Sequence, residues 1–236
     1  MRVLVTRASA DAAPVVDALR GLGVVPVVVP LIKRTPKLSA LRAMDLEGVY
    51  GWVMTSPAVV RALSEAGVGP GPGWVASVGP ATTTAAREAG WQVRVQAPGG
   101  TARSLVSALG DCAGQRWMYP CADQASDQVQ ADLERSGALV ERVVAYDNVL
   151  PAGARASLAS VWPVDAAVLF SGSAARRLLD LQPLPWARST RVIAIGPSTS
   201  AVLSSLGVRD VAVATPHTLG GVVEAVRRIR TDGGLP

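Results

Sequence analysis

A chain of 236 residues, 49% of them apolar, can bury one large core or two small ones, which excludes a globally disordered protein. Its two cysteines, Cys112 and Cys121, have no CxxC spacing and argue against a disulfide scaffold or a zinc site, and its longest apolar run, 22–32, is interrupted by Pro26 and Pro30 and falls well short of the roughly 20 residues of a membrane span. The formal charge of +5 is carried almost wholly by arginine, with lysine only at positions 33 and 37, so anionic partners are favoured, Schiff-base chemistry has little room, and the basic-aromatic surface of a nucleic-acid binder is missing.

The opening MRVLVTRASAD turns polar at once, so no secretory signal is expected, and free thiols suit a cytoplasmic setting. After the first apolar run comes Thr6-Arg7, then Val15, Val16, Leu19 and Leu22 at helical spacing, a closing Gly23 and another apolar run. Lys33-Arg34-Thr35-Pro36 interrupts this pattern and reads as a linker. The segment WVMTSPAVVRAL (52–63) reads as a strand, a turn and a helix, with Ser56 as N-cap before Pro57 at the first helical position. A strand from 74 to 78 then meets Gly79-Pro80-Ala81-Thr82, a helix ends at Gly90, and a strand follows over 92–95. PGGTARSLVSAL (98–109) enters another helix.

From here the chain repeats itself. WMYPCADQASDQVQADLERSGALVERVVAY (117–146) parallels 3–32, with Gly137 in the place of Gly23, and Tyr146 is read as the end of its last strand. Asp147 to Pro151 breaks the pattern as a second linker. AVLFSGSAARRLL (167–179) parallels 52–63, and AIGPSTSAVLSSLG (194–207) parallels SVGPATTTAAREAG (77–90), Gly196 lying 117 positions after Gly79 (196 − 79). PHTLGGVVEAV (216–226) matches 98–109. Alternating strands and helices predict an α/β protein whose parallel sheets carry helices on both faces. Periodicity alone leaves open whether the two halves are sequential or interleaved.

In this order and spacing, VLVTR, TSPAVVRAL, VGPATTTAAREAG, VVAYDNVLP, VLFSGSAARRLL and AIGPSTSAVLSSLG resemble the uroporphyrinogen-III synthase family over about residues 3–229. The resemblance implies two flavodoxin-like domains, interleaved in sequence and joined by two extended linkers: 1–33 with 150–236, and 36–146, with linkers near 33–36 and 146–151. It also implies an active site in the cleft between them and no metal or organic cofactor. The implied reaction closes hydroxymethylbilane, a linear tetrapyrrole polycarboxylate, to uroporphyrinogen III with loss of water and inversion of ring D. A monomer, with transient hand-over from hydroxymethylbilane synthase, is the implied assembly, with no nucleic acid and no membrane.

In parallel α/β sheets, ligands gather at the carboxyl ends of strands, where helix N-termini offer free N–H groups to anions. The expected substrate-binding residues are therefore Thr6 and Arg7, Thr55 and Ser56, Gly79, Pro80, Ala81 and Thr82, Ser171, Gly172 and Ser173, and Gly196, Pro197, Ser198 and Thr199. Each has a structural alternative: Ser56, Thr82 and Thr199 as caps, and 171–173 as plain turn chemistry. Arg61, Arg87 and Arg176 fall inside helices and read as solvated charges, and Cys121 as incidental. Tyr146 matches the tyrosine of the family's VY motif, which implies a phenol that assists loss of the hydroxyl; the alternative is a tyrosine that packs. The chain has a single histidine, His217, and lacks G-x-S-x-G, GxxxxGK[ST] and a strand-linked GxGxxG. The rival reading is a non-catalytic two-domain module that binds a small polyanion.

Overall fold

The computed structural model describes residues 1–181 and 190–232, and the chain divides into two compact units, Met1–Lys33 with Val149–Pro236, and Arg34–Asn148. The first unit holds a sheet of five strands: β1 (Arg2–Val5), β2 (Val25–Val28), β9 (Ala166–Leu169), β10 (Arg191–Ala194) and β11 (Val211–Val213). Their order is β11-β10-β9-β1-β2, with parallel pairing throughout. Side chains alternate across the sheet, as the period of two requires. Leu4 joins one core, with α7 (Ala154–Val161), α8 (Gly172–Leu181) and α9 (Pro197–Ser205); Val3 and Val5 join the other, with α1 (Ser9–Gly21) and α10 (Leu219–Asp232). Both faces are buried, so the strands read as unbroken apolar runs.

The second unit holds β3 (Lys33–Pro36), β4 (Val49–Met54), β5 (Trp74–Ser77), β6 (Val93–Gln96), β7 (Arg116–Ala122) and β8 (Leu139–Val149), in the order β3-β8-β7-β4-β5-β6. Helices α2 (Leu38–Arg42), α3 (Pro57–Glu65) and α4 (Pro80–Glu88) cover one face, where Trp52, Met54 and Met118 pack; α5 (Ala102–Leu109) and α6 (Gln128–Arg135) cover the other, where Val53, Trp117 and Tyr119 pack. The β4–β5, β5–β6, β4–β7 and β7–β8 pairs are parallel. No described helix is long and apolar enough to cross a membrane.

Lys33–Pro36, expected as a linker, spans the boundary between the two units and also forms a strand at the edge of the second sheet. One local reading of the sequence is corrected by the structure. Tyr146 does not end its strand: β8 runs on to Val149. The cause is backbone pairing on both sides of β8. Lys37 N donates to Ala145 O at 2.9 Å, Asp123 N donates to Tyr146 O at 3.0 Å, and Lys37 Nζ lies 2.6 Å from the Asp147 carboxylate. These partners are 23 or more residues from Tyr146 or its neighbours, so no local signal encodes them.

The helix starts follow local chemistry. Ser56 Oγ accepts from Ala58 N at 3.1 Å, with Pro57 at the first helical position. Gly79 and Gly196 are extended N-caps followed by Pro80 and Pro197, and the helices they open are closed by Gly90 and Gly207 at φ of 85° and 83°, the left-handed backbone that favours glycine.

Candidate functional site

The strand order of each sheet has one point where the chain reverses direction across it. In the first unit that point is between β1 and β9, and in the second between β4 and β7. The helices that follow these strands pack on opposite faces of each sheet, the arrangement at whose carboxyl ends doubly wound sheets bind ligands. Thr6 and Arg7 leave β1, and Phe170 and Ser171 leave β9, beside one another. Thr6 is 1% exposed, and its hydroxyl donates to Val168 O at 2.8 Å, so it ties the two strands together. The Arg7 guanidinium lies 5.1 Å from the centre of the Phe170 ring, a cation–π contact that holds the cation at the strand ends. Ser171 Oγ accepts from Ala174 N at 3.1 Å and caps the first turn of α8. A Cβ on Gly172 would come 2.8 Å from Val202 Cγ2, so this glycine lets α8 start directly against α9.

In the second unit, Thr55 and Ser56 leave β4, both partly exposed. Beside them the end of β7 presents Tyr119 and Cys121, at 2% and 0% exposure, on the same face as Trp117. Burial pushes the Tyr119 phenol up to about 12, reinforced by the neighbouring Cys121 and opposed by the Arg142 guanidinium. Burial also raises the Cys121 thiol, again against Arg142. Both groups therefore keep their protons at neutral pH, which makes Cys121 a poor nucleophile. Tyr146 is 6% exposed and belongs to the core on the other face of the sheet, with Met54, Val59 and Ala145.

The two Gly-Pro turns flank these points, after β5 and β10. Thr82 and Thr199 occupy matching positions and are each 3% exposed, directed inward, whereas Ala81 and Ser198 are exposed. The copies differ one residue further on. Thr83 Oγ1 lies 2.6 Å from Ser77 Oγ and donates to Gln96 Oε1 at 2.7 Å, a network that starts at the buried Ser77 and Thr83 and ends at the exposed Gln96. The equivalents of Ser77 and Gln96 in the second copy are Ala194 and Val213, which cannot form it. Thr83→Val keeps the shape but leaves the Ser77 hydroxyl buried without this partner. It is expected to cost about 1–3 kcal/mol in denaturant unfolding, while Ser200→Val in the other copy costs less.

The first turns of α3, α4, α8 and α9 contain no acidic residue, so nothing on these helices offsets their positive ends. Each such end is worth about 0.5 kcal/mol to a nearby anion. Arg61, Arg87 and Arg176 are solvent-exposed on their helices. Among the described residues, no group of three or more His, Cys, Asp or Glu side chains could hold a metal ion.

Sequence reasoning missed Tyr119, Arg142 and Asp123. The available signal was the alternation Trp117, Tyr119, Cys121, which places a phenol on a core face, and the charge of Arg142 inside an apolar strand.

Parallel strands, helices on both faces and helix N-termini free of acidic residues at the strand ends define a doubly wound α/β protein. The chain belongs to the uroporphyrinogen-III synthase family: the model described as "Uroporphyrinogen-III synthase HemD" matches residues 13–224. It is thus an enzyme of tetrapyrrole biosynthesis. The fold is similar to that of a mutant uroporphyrinogen III synthase from Thermus thermophilus, at 19% identity and a TM-score of 0.67, covering 98% of this chain and 99% of that one. It is also similar to the uroporphyrinogen-III synthetase of Helicobacter pylori, at 14% identity and a TM-score of 0.72, covering 97% and 99%. No curated protein matches the sequence.

Proposed function

We propose that this protein closes hydroxymethylbilane, received from the preceding synthase, to uroporphyrinogen III with inversion of ring D. The observation that supports this reading most is the family match along 13–224, joined to helix N-termini that lack acidic residues at the strand ends. The substrate's carboxylates are taken up there, by amides of the turns at 79–82, 171–173 and 196–199, by Thr55 and Ser56, and by Arg7. Thr6, which ties β1 to β9, and the buried Thr82 and Thr199 lie beneath those positions.

The hydroxyl of ring A leaves with a proton as water, and the pyrrole becomes an azafulvene, an electrophile. Ring D attacks through its already substituted carbon and forms a spiro intermediate. That intermediate breaks on the other side of the spiro carbon and recloses at the free position, and loss of a ring proton restores the pyrrole. Unaided end-to-end closure gives the type I isomer instead, so the protein must favour one closure over the other. Each tenfold preference takes about 1.4 kcal/mol of differential barrier. Holding the folded bilane in register supplies such a preference, and no nucleophile is required.

The test generates hydroxymethylbilane in situ with its own synthase, adds this protein, oxidises the products and separates the uroporphyrin isomers. Predominantly type III supports the reading. Type I alone, at the background rate with folded protein present, removes it and leaves a polyanion-binding module. We place the Tyr146 phenol as hydrogen-bond donor to the departing hydroxyl. Tyr146→Phe is then expected to lower turnover at least tenfold, about 1.4 kcal/mol, with the thermal midpoint retained. Near-wild-type turnover by the Phe variant would confine Tyr146 to packing.

A further inference from the structure

The loop 123–127 leaves β7 at the reversal point of the second sheet and is fastened to β8 at both of its ends. At its start, Asp123 N donates to Tyr146 O at 3.0 Å, and Asp123 Oδ1 accepts from Asn148 N at 3.1 Å and Asn148 Nδ2 at 3.2 Å. At its other end the fastener is one side chain, Arg142, which stands opposite Tyr119 in the β7–β8 register. Its Nε donates to Cys121 Sγ at 3.3 Å, its Nη2 donates to Ala125 O at 2.6 Å, and its Nη1 pairs with the Asp127 carboxylate. All three guanidinium nitrogens are engaged. Arg142 is 22% exposed and Asp127 86% exposed, so the network begins inside the sheet and ends at the surface. A planar fork can hold three acceptors in fixed directions, which lysine cannot. Arg142 is therefore a cation within β8 that spends one donor from each of its three nitrogens on the end of β7 and the loop after it.

We infer that Arg142 is a positioning residue for the ring closure: its guanidinium fixes the 123–127 loop and, through Asp123, the backbone of Tyr146 and Asn148. This inference rests on the cyclase reading above. It also gives Cys121 a task, as the acceptor that orients the inner edge of the guanidinium.

The experiment measures single turnover with enzyme in excess over hydroxymethylbilane, and scores both the rate and the type III fraction. Excess enzyme makes the rate insensitive to a modest loss of folded protein, so a merely structural role leaves it unchanged. Wild type is measured first: if it yields no type III, the cyclase reading fails and this inference falls with it. If wild type yields type III, Arg142→Met is expected to slow single turnover at least tenfold and raise the type I fraction. Arg142→Lys, which keeps the charge without the fork, falls between. Asp127→Asn alters only an exposed group and is expected to slow it about threefold, which keeps the test usable if Arg142→Met does not fold. Amide exchange over 123–127 is expected to quicken in the same order. Single turnover and isomer ratio within twofold of wild type in folded Arg142→Lys and Asp127→Asn, whatever the exchange shows, would overturn the inference.

Discussion

Gly221→Ala is expected to destabilise the first unit by about 3 kcal/mol or more, a drop of about 10 °C in the unfolding midpoint, whereas Gly220→Ala beside it is neutral or slightly stabilising. A Cβ on Gly221 would lie 1.8 Å from Pro216 O and 2.9 Å from the carbonyl carbons of Pro216 and Thr215. These are backbone atoms, so no rotation of a side chain relieves the overlap. Either the turn at 215–218 or the start of α10 has to move. Both are tied down: Val222 N donates to Thr218 O at 3.1 Å, and Val222 and Val226 are fully buried in the core that α10 shares with α1. The nearest foreign atom to a Cβ on Gly220 is Thr218 Oγ1 at 3.7 Å, an ordinary contact, and alanine there gains up to about 1 kcal/mol of helix propensity. Denaturant unfolding of the two variants side by side measures the contrast. Equal midpoints would show that the turn yields freely.

Alkali is expected to unfold the protein through Tyr119. Its phenol titrates at about 12 in the folded chain and at about 10 when unfolded. Between those values the unfolded chain loses a proton that the folded chain retains, so stability is intact below pH 10 and falls as pH rises toward 12. Two pKa units correspond to about 2–3 kcal/mol. Burial of Cys121 adds a loss of the same sign. The measurement is unfolding free energy from pH 9 to 12 for wild type and Tyr119→Phe, because the difference between the curves isolates the phenol. The Phe variant is expected to gain on wild type steadily above pH 10. Parallel curves would mean that the phenol ionises without penalty in the fold.

Tyr119 also marks how far sequence reasoning reaches at the candidate site. The Ser56 cap, the prolines at 57, 80 and 197 and the closing glycines at 90 and 207 were legible because caps and turns are settled by residues within about four positions of one another. The Gly-Pro turns were legible for the same reason, and their repetition exposed the duplication. The fastening of loop 123–127 was not legible. Arg142 finds Cys121, Ala125 and Asp127 15 to 21 residues back in the chain, and only strand register brings them together. The Ser77–Thr83–Gln96 network has the same origin, and it makes one Gly-Pro turn chemically unlike its copy.

By itself the sequence determined the alternation of strands and helices, the α/β class, the placement of helix starts after strands, and, through the order of its motifs, the family. Those features rest on local sterics, capping and apolar periodicity. Only the tertiary structure decided that β1 pairs with β9 more than 160 residues away, that Lys33–Pro36 joins the second sheet, and that Tyr146 lies within β8 with its ring in a core. Strand pairing is made by backbone hydrogen bonds that every residue but proline can form, so the choice of partner is written in the packing of whole layers and not in any short stretch of chain.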